Sequence, residues 1–392
     1  MSVESRLTPA ALLAIASLAG EAYANNETHT NNSPQSAPQV AYAAGTLPTF
    51  TGPEHLFTGR VDVVMAFPEQ SGVPYSGAYV TFQPGARTAW HDHPAGQHMV
   101  VTRGAAITVT RDGQVVRFGE GEAVWCPPGV DHWHGATPHS AMTHFVVTGS
   151  KDGSAVNWKD KVSDAQYQAA LAALAVQAPV LKTLDVRQQQ LAAVVAFAAA
   201  DDAGSLVAAL NEALDAGVTI SDLKETMVHL YPYGGFPKSL NGLGALMQVV
   251  ETRKTAGKQD KPGKDPQPLP AAEQAQATGA EVQTALVGRP VAGPLFDFAP
   301  VANTFLQKHL FGDVFARGVL SHQDREVLTV AILASLPGKP EGTASQLRSH
   351  IGMAKNTGVT VAQLEDLGRW LEYRVTASAG KRIQAALSDQ AG

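Results

Sequence analysis

The stretches AWHDHPAGQH, GVDHWHG and AMTHFVV bring five histidines close together: His91 and His93, His132 and His134, then His144. Residues two apart on a strand point to the same face, so each pair can present both rings to one side. Pro94 and Gly96 turn the chain after the first pair, and Gln97 begins the next strand. Pro127-Pro128-Gly129 makes a turn ahead of the second pair. Several imidazoles can therefore converge inside one barrel. Imidazole suits manganese, iron, nickel, copper and zinc. Three histidines and a side-chain oxygen leave positions open for substrate, as a catalytic centre requires. The competing reading is an inert barrel whose histidines only pack. The paired spacing around glycine-defined turns favours the metal. His98 alternates away from Gln97, and His139 falls in a loop.

The surrounding texture is β. From 46 to 160, short alternating or β-branched runs such as GAYVTFQPG and GEAVWCPPG are separated by Gly, Pro and Asp-Gly turns, as in a sandwich or barrel. Asp112-Gly113 marks a hairpin. The residues 25–45 are polar and proline-rich and read as a disordered lead-in. From 163 the period changes to helical. SDAQYQAALAALAVQ opens on a serine cap, Gly217 ends a later helix, and Thr219 or Ser221 caps the next. AGVTISDLKE (216–225) matches TGVTVAQLED (357–366), and RQQQLAAVVAFAA resembles DREVLTVAILASL. Two copies of one helical unit follow, over 163–253 and 280–390, joined by a Lys, Pro and Gln-rich linker over 254–279.

With 392 residues the chain is long enough for two or three domains. Its 29 basic and 35 acidic side chains give a net charge of −6, which argues against a nucleic-acid partner. No run reaches the length of a membrane span. The single cysteine, Cys126, rules out an internal disulfide and any CxxC redox pair. Arg6, an apolar run and Ala22-Tyr23-Ala24 have the form of an export signal over 1–24, which predicts a periplasmic or secreted protein; the alternative is an amphipathic helix on a cytoplasmic one.

Gly85-x5-His91-x-His93-x3-Gln97-x6-Gly104 and Gly121-x5-Pro127-x-Gly129-x2-His132 resemble the two cupin motifs at full spacing. That resemblance implies a cupin β-barrel and the ligands His91, His93, Gln97 and His132, with Gln97 where the family usually has glutamate. Four neutral ligands leave the full charge on a divalent ion, making it a stronger Lewis acid. VTFQPGARTAWHDHPAGQ and AVNWKDKVSDAQY further resemble the manganese cupin hydroxynitrile lyases. This implies manganese as cofactor, with iron, zinc and nickel as alternatives, and cleavage of a cyanohydrin into an aldehyde and cyanide. His134 and His144 then become the acid/base candidates.

In the helical half, Glu225 and His229 are four apart on one helix face and could cooperate in proton transfer. LKETMVHLYPYGGFPKSL resembles the carboxymuconolactone decarboxylase family, and 324–367 resembles it again, with His350 at the family's histidine position. Thiol peroxidase chemistry, known among relatives, is excluded because neither helical copy has a cysteine. Trp370 stands where the repeat places His229. Each copy holds half of the polar set, so either one composite site forms from Glu225, His229 and His350, or the helices are a scaffold that oligomerises. The expected protein is thus an N-terminal cupin barrel followed by two all-α carboxymuconolactone decarboxylase-like repeats. It acts on a small hydroxylated substrate as a lyase and forms a homo-oligomer. Alternatives are a cupin dioxygenase or isomerase, a decarboxylase working through the helices, and a non-catalytic binding module.

Overall fold

The run Tyr75–Phe82 alternates buried and open positions, and so do Val61–Phe67 and Met142–Gly149. Such strands bury one face and leave the other to solvent. The computed structural model describes residues 39–70, 72–175, 178–338 and 341–390. The export signal over 1–24 lies outside the described residues, as do residues 25–38 of the lead-in over 25–45. The described residues divide into two units, one of strands and one of helices.

In the first unit two antiparallel sheets face each other as a small barrel. One runs Thr49–Thr51, Val61–Phe67, Tyr75–Phe82, Met142–Gly149, Gln97–Arg103, Ala123–Cys126. The other is built around His132–Ala136, which pairs with Ala105–Thr110, His91–Asp92 and Arg87–Thr88. Inward apolar side chains, among them Val61, Phe82, Met99 and Met142, form the core between them. The Asp112-Gly113 hairpin joins Ala105–Thr110 to Val115–Gly119, and Gly113 takes φ +89° there.

The helix Asp164–Ala175 packs on this barrel. Ser163 caps it, its hydroxyl accepting from Gln166 N at 3.2 Å. Its apolar side, Tyr167, Ala170 and Leu174, covers Trp90, Ile107 and Trp133 on the outside of the second sheet. The Tyr167 hydroxyl donates to Ala136 O at 2.9 Å, and the Arg87 guanidinium lies over the Tyr167 ring.

The second unit is all helical. Val186–Ala199 and His322–Ser335 are apolar on nearly every face, and both are buried at the centre of one core. A helix apolar all round has to be enclosed by others, which is what the two related stretches do for each other. The repeat also shows at the helix starts. Thr219 with Asp222, and Thr360 with Gln363, make the same reciprocal cap at the matching positions. The segment read as a linker is tied down. Lys261 O and Pro262 O accept from Ile220 N and Ser221 N at 2.9 Å, satisfying two orphan donors of Ile220–Gly234. Arg253 holds Asp260 at 2.7 Å, and the helix Ala275–Val287 begins before the expected end at 279.

Candidate metal centre

His91 and His132 stand opposite each other on paired strands. The turn after His93 is closed by Gly96 N donating to His93 O at 3.2 Å. Gly96 takes φ +81°, and a Cβ there would meet the Trp125 ring at 2.1 Å, so glycine is required. The second turn docks on the first, Gly129 N donating to the same His93 O at 3.1 Å. The two local motifs thus lock into one loop cluster that fixes His91, His93 and His132.

Each of these imidazoles is oriented by a backbone carbonyl. Nδ1 of His91 donates to Ala89 O at 2.9 Å, that of His93 to Ala155 O at 2.8 Å, and that of His132 to Val130 O at 3.0 Å. With the proton on Nδ1, each Nε2 carries a bare lone pair. One ligand atom from each of the three lies within 4.8 Å of the others. Nε2 of His93, Nε2 of His132 and Oε1 of Gln97 are buried with no hydrogen-bond partner. Orphaned buried acceptors are costly unless something binds them. Three imidazole lone pairs held together without a proton among them, with the unpaired Gln97 Oε1 buried nearby, fit a divalent cation. Asp92 and Asp131, next in sequence to the ligands, are engaged outside by Lys159, which reaches Asp92 at 2.8 Å. No carboxylate joins the cluster of imidazoles among the described residues.

A cavity of about 230 Å³ adjoins these donors. Phe50, Phe57, Met65, Phe82 and Trp158 give it apolar walls, and His134 and His144 line it too. The rings of His134 and His144 are 5.1 Å apart, and each lies 5.6 Å from Phe82. Thr88 Oγ1 accepts from the backbone N of His134 at 3.1 Å. Nδ1 of His134 and both ring nitrogens of His144 are buried without a partner. They are free to exchange a proton with a guest.

Burial keeps these rings neutral. It pushes His144 down to about 3 and His93 down to about 4 from an ordinary 6.5. Burial and the neighbouring imidazoles hold His91 and His134 well below the usual range. The unfolded chain accepts protons near pH 6.5 that the folded barrel resists. These histidines therefore contribute stability that is full above that pH and lost as the pH falls toward 4 and 3. In chelator-treated protein the barrel's unfolding free energy should drop by up to about 1.4 kcal/mol per pH unit for each such histidine. Denaturant melts followed through the barrel tryptophans between pH 7 and 5 measure this. A flat profile would contradict the burial of neutral rings.

In the helical unit the structure brings Glu225, His229 and His350 into one polar cluster, with a correction. Glu225 and His229 do not pair directly, because Arg325 stands between them. Arg325 Nη2 donates to Glu225 Oε1 at 2.8 Å, and its Nη1 to His229 Nδ1 at 3.3 Å. Arg317 Nε takes the same carboxylate at 2.9 Å. His229 Nε2 donates to Thr329 Oγ1 at 2.9 Å. Burial and the Arg325 charge keep this ring well below the ordinary range. His350 Nδ1 meets Glu326 Oε2 at 2.8 Å, and the Tyr233 ring packs edge-on against both His229 and His350. Trp370 donates from Nε1 to Gln189 O at 2.7 Å. Arg317, Arg325, Glu326 and Tyr233 were not singled out from sequence. Arg325 and Glu225 are both fully buried. Glu225→Ala leaves a buried cation without its partner, so the helical unit should lose about 3 kcal/mol in denaturant melts. Metal content should not change. A loss near zero would mean that solvent reaches the pair.

Fold and site together define a β-barrel with a candidate metal centre and a helical unit built of two repeats. Residues 78–148 match the Cupin domain, and residues 164–248 and 300–388 match the Carboxymuconolactone decarboxylase family. The (R)-mandelonitrile lyase of Granulicella tundricola is 45% identical over 117 residues, 30% of this chain and 89% of that protein. The 4-carboxymuconolactone decarboxylase of Acinetobacter baylyi is 30% identical over 99 residues, 24% of this chain and 70% of that protein. A cupin-like protein of Thermotoga maritima is 33% identical, covers 34% of this chain and 97% of its own, and has a TM-score of 0.30. The chain belongs to the cupin family through its first unit and to the carboxymuconolactone decarboxylase family through its second. The helical match begins at 164, on the helix that packs against the barrel.

Proposed function

We propose that the barrel is a divalent-metal lyase that cleaves a small hydroxylated aromatic substrate, a cyanohydrin such as mandelonitrile being the sharpest case. The observation that carries this reading is the largely apolar cavity lined by three of the neutral donors, His91, His93 and Gln97, and by two further imidazoles with free nitrogens. The name of the G. tundricola relative supports the same class of reaction. Manganese is the first choice of ion, and when bound it supplies a Lewis acid that favours the ionised form of an alcohol oxygen. The aromatic walls of Phe57, Phe82 and Trp158 would hold an aryl group and exclude water. His144, neutral and unpartnered, takes the hydroxyl proton. The carbon–carbon bond to the nitrile breaks as the oxygen's electron pair forms the aldehyde carbonyl. The departing cyanide keeps the bonding pair and collects a proton at carbon from a protonated imidazole, His134 or His144. Burial makes such a cation a strong acid, so it gives up the proton readily.

The test is benzaldehyde release from mandelonitrile by full-length protein stripped with chelator and reloaded with Mn2+. Turnover that needs the ion supports the reading. Metal uptake without any cyanohydrin cleavage would remove it. A second reading has its own observation. Glu326 Oε1, Tyr233 Oη and Arg325 Nε are buried without partners beside the His350–Glu326 pair. These groups could serve proton transfer on a carboxylated lactone, the compound class in the name of the A. baylyi relative. That activity should survive Gln97→Ala, and its absence from the wild-type chain would leave the helices as scaffold.

A further inference from the structure

Glutamine at position 97 raises a problem that glutamate would not. A carboxylate offers an oxygen at either end, whereas an amide offers one oxygen acceptor and one NH2 donor. Only Oε1 can ligate a cation. Gln97 lies against His93, whose Nε2 is a bare lone pair. Turned the wrong way, the amide would donate to that nitrogen and silence two metal donors at once.

The strand register shows which group takes the NH2 end when Oε1 faces the imidazoles. Gln97 opens Gln97–Arg103 and stands between two cross-strand neighbours, Thr148 on one side and Cys126 on the other. Gln97 Nε2 donates to Thr148 Oγ1 at 2.8 Å. The Cys126 side offers only a thiol, a weak partner for either end of an amide. A hydroxyl can pair with either end of an amide; here it accepts from the NH2 group, and Oε1 is left turned away from it, buried and unpaired. We propose that Thr148 is a positioning residue of the metal centre, its hydroxyl accepting the Gln97 NH2 group in the orientation that presents Oε1 to the three imidazoles. This rests on the metal reading of the site and not on any particular reaction.

The experiment is Mn2+ binding to chelator-stripped full-length protein by titration calorimetry, without substrate. Thr148→Val keeps the shape of the side chain and removes the hydroxyl. Its Kd should rise about tenfold or more, the usual effect of losing a partner that orients a ligand. Thr148→Ser should restore wild-type affinity. In the Gln97→Glu background orientation has no meaning, so the same Thr148→Val change should cost less than about threefold. Thr148→Ala provides the same comparison if the valine variant folds poorly. An unchanged Kd in Thr148→Val, or an equal loss in both backgrounds, would overturn the proposal. If wild-type protein binds no Mn2+, the metal reading itself falls; if it binds and the variants do not differ, only the role of Thr148 falls.

Discussion

Replacing His132 with alanine is expected to empty the metal centre and abolish cyanohydrin cleavage together. His132 supplies one of three lone pairs held within 4.8 Å of each other. Two imidazoles and an amide oxygen make a poor donor set for a divalent ion, since the amide is the weakest of the four. Metal per chain should fall below about one tenth after dialysis, and kcat/KM should drop at least about 10⁴-fold. The fold should survive, because the ring's only backbone bond is to Val130 O, two residues away. Elemental analysis and the benzaldehyde assay on one preparation check both halves. Activity that persists without metal would show that the ion is not part of the chemistry.

The second large effect is expected at His144, with the opposite metal result. The ring sits in the cavity wall, 5.1 Å from the His134 ring, and no ligand atom of the centre depends on it. His144→Gln keeps much of the volume and a polar end but cannot shuttle a proton. Metal content should stay at the wild-type level while kcat falls about 10²–10⁴-fold, the range for a lost general base. KM should move little, since the apolar walls proposed to hold the aryl group are untouched. Steady-state kinetics with metal analysis separate this from a packing role, which would leave kcat near wild type. A variant that loses its metal would show instead that His144 supports the centre.

The candidate metal donors could be picked out from sequence because their logic is local. Spacing of two on a strand, Pro94 and Gly96 in one turn and Gly129 in the other are written within short stretches. The residues that complete the cavity are not local. Thr148 meets Gln97, and Phe82 meets His144, only through the pairing of strands distant in sequence, and Phe82 meets His134 only when the sheets face each other. The same limit explains the helical unit. Glu225 and His229 share a face at i,i+4, which suggested that they act together. Arg325 comes between them from a helix 100 residues further on, an arrangement fixed by two apolar helices packing at the centre of the repeats. The docking of Asp164–Ala175 on the barrel was missed for a related reason. An apolar helix face announces that it will be covered, but the partner is chosen by the Arg87, Trp133 and Ala136 surface it meets. The 254–279 stretch has linker composition, yet its carbonyls and Asp260 serve as caps and ion-pair partners.

The account stands on uncharged donors gathering one divalent cation inside the barrel. Diffraction from crystals grown with Mn2+, collected at the manganese absorption edge, tests this most directly. The account predicts a single strong anomalous peak bonded to Nε2 of His91, His93 and His132 and to Oε1 of Gln97, open toward the cavity that His134 and His144 line. A barrel without a peak, or a peak held by carboxylates elsewhere in the chain, would contradict it.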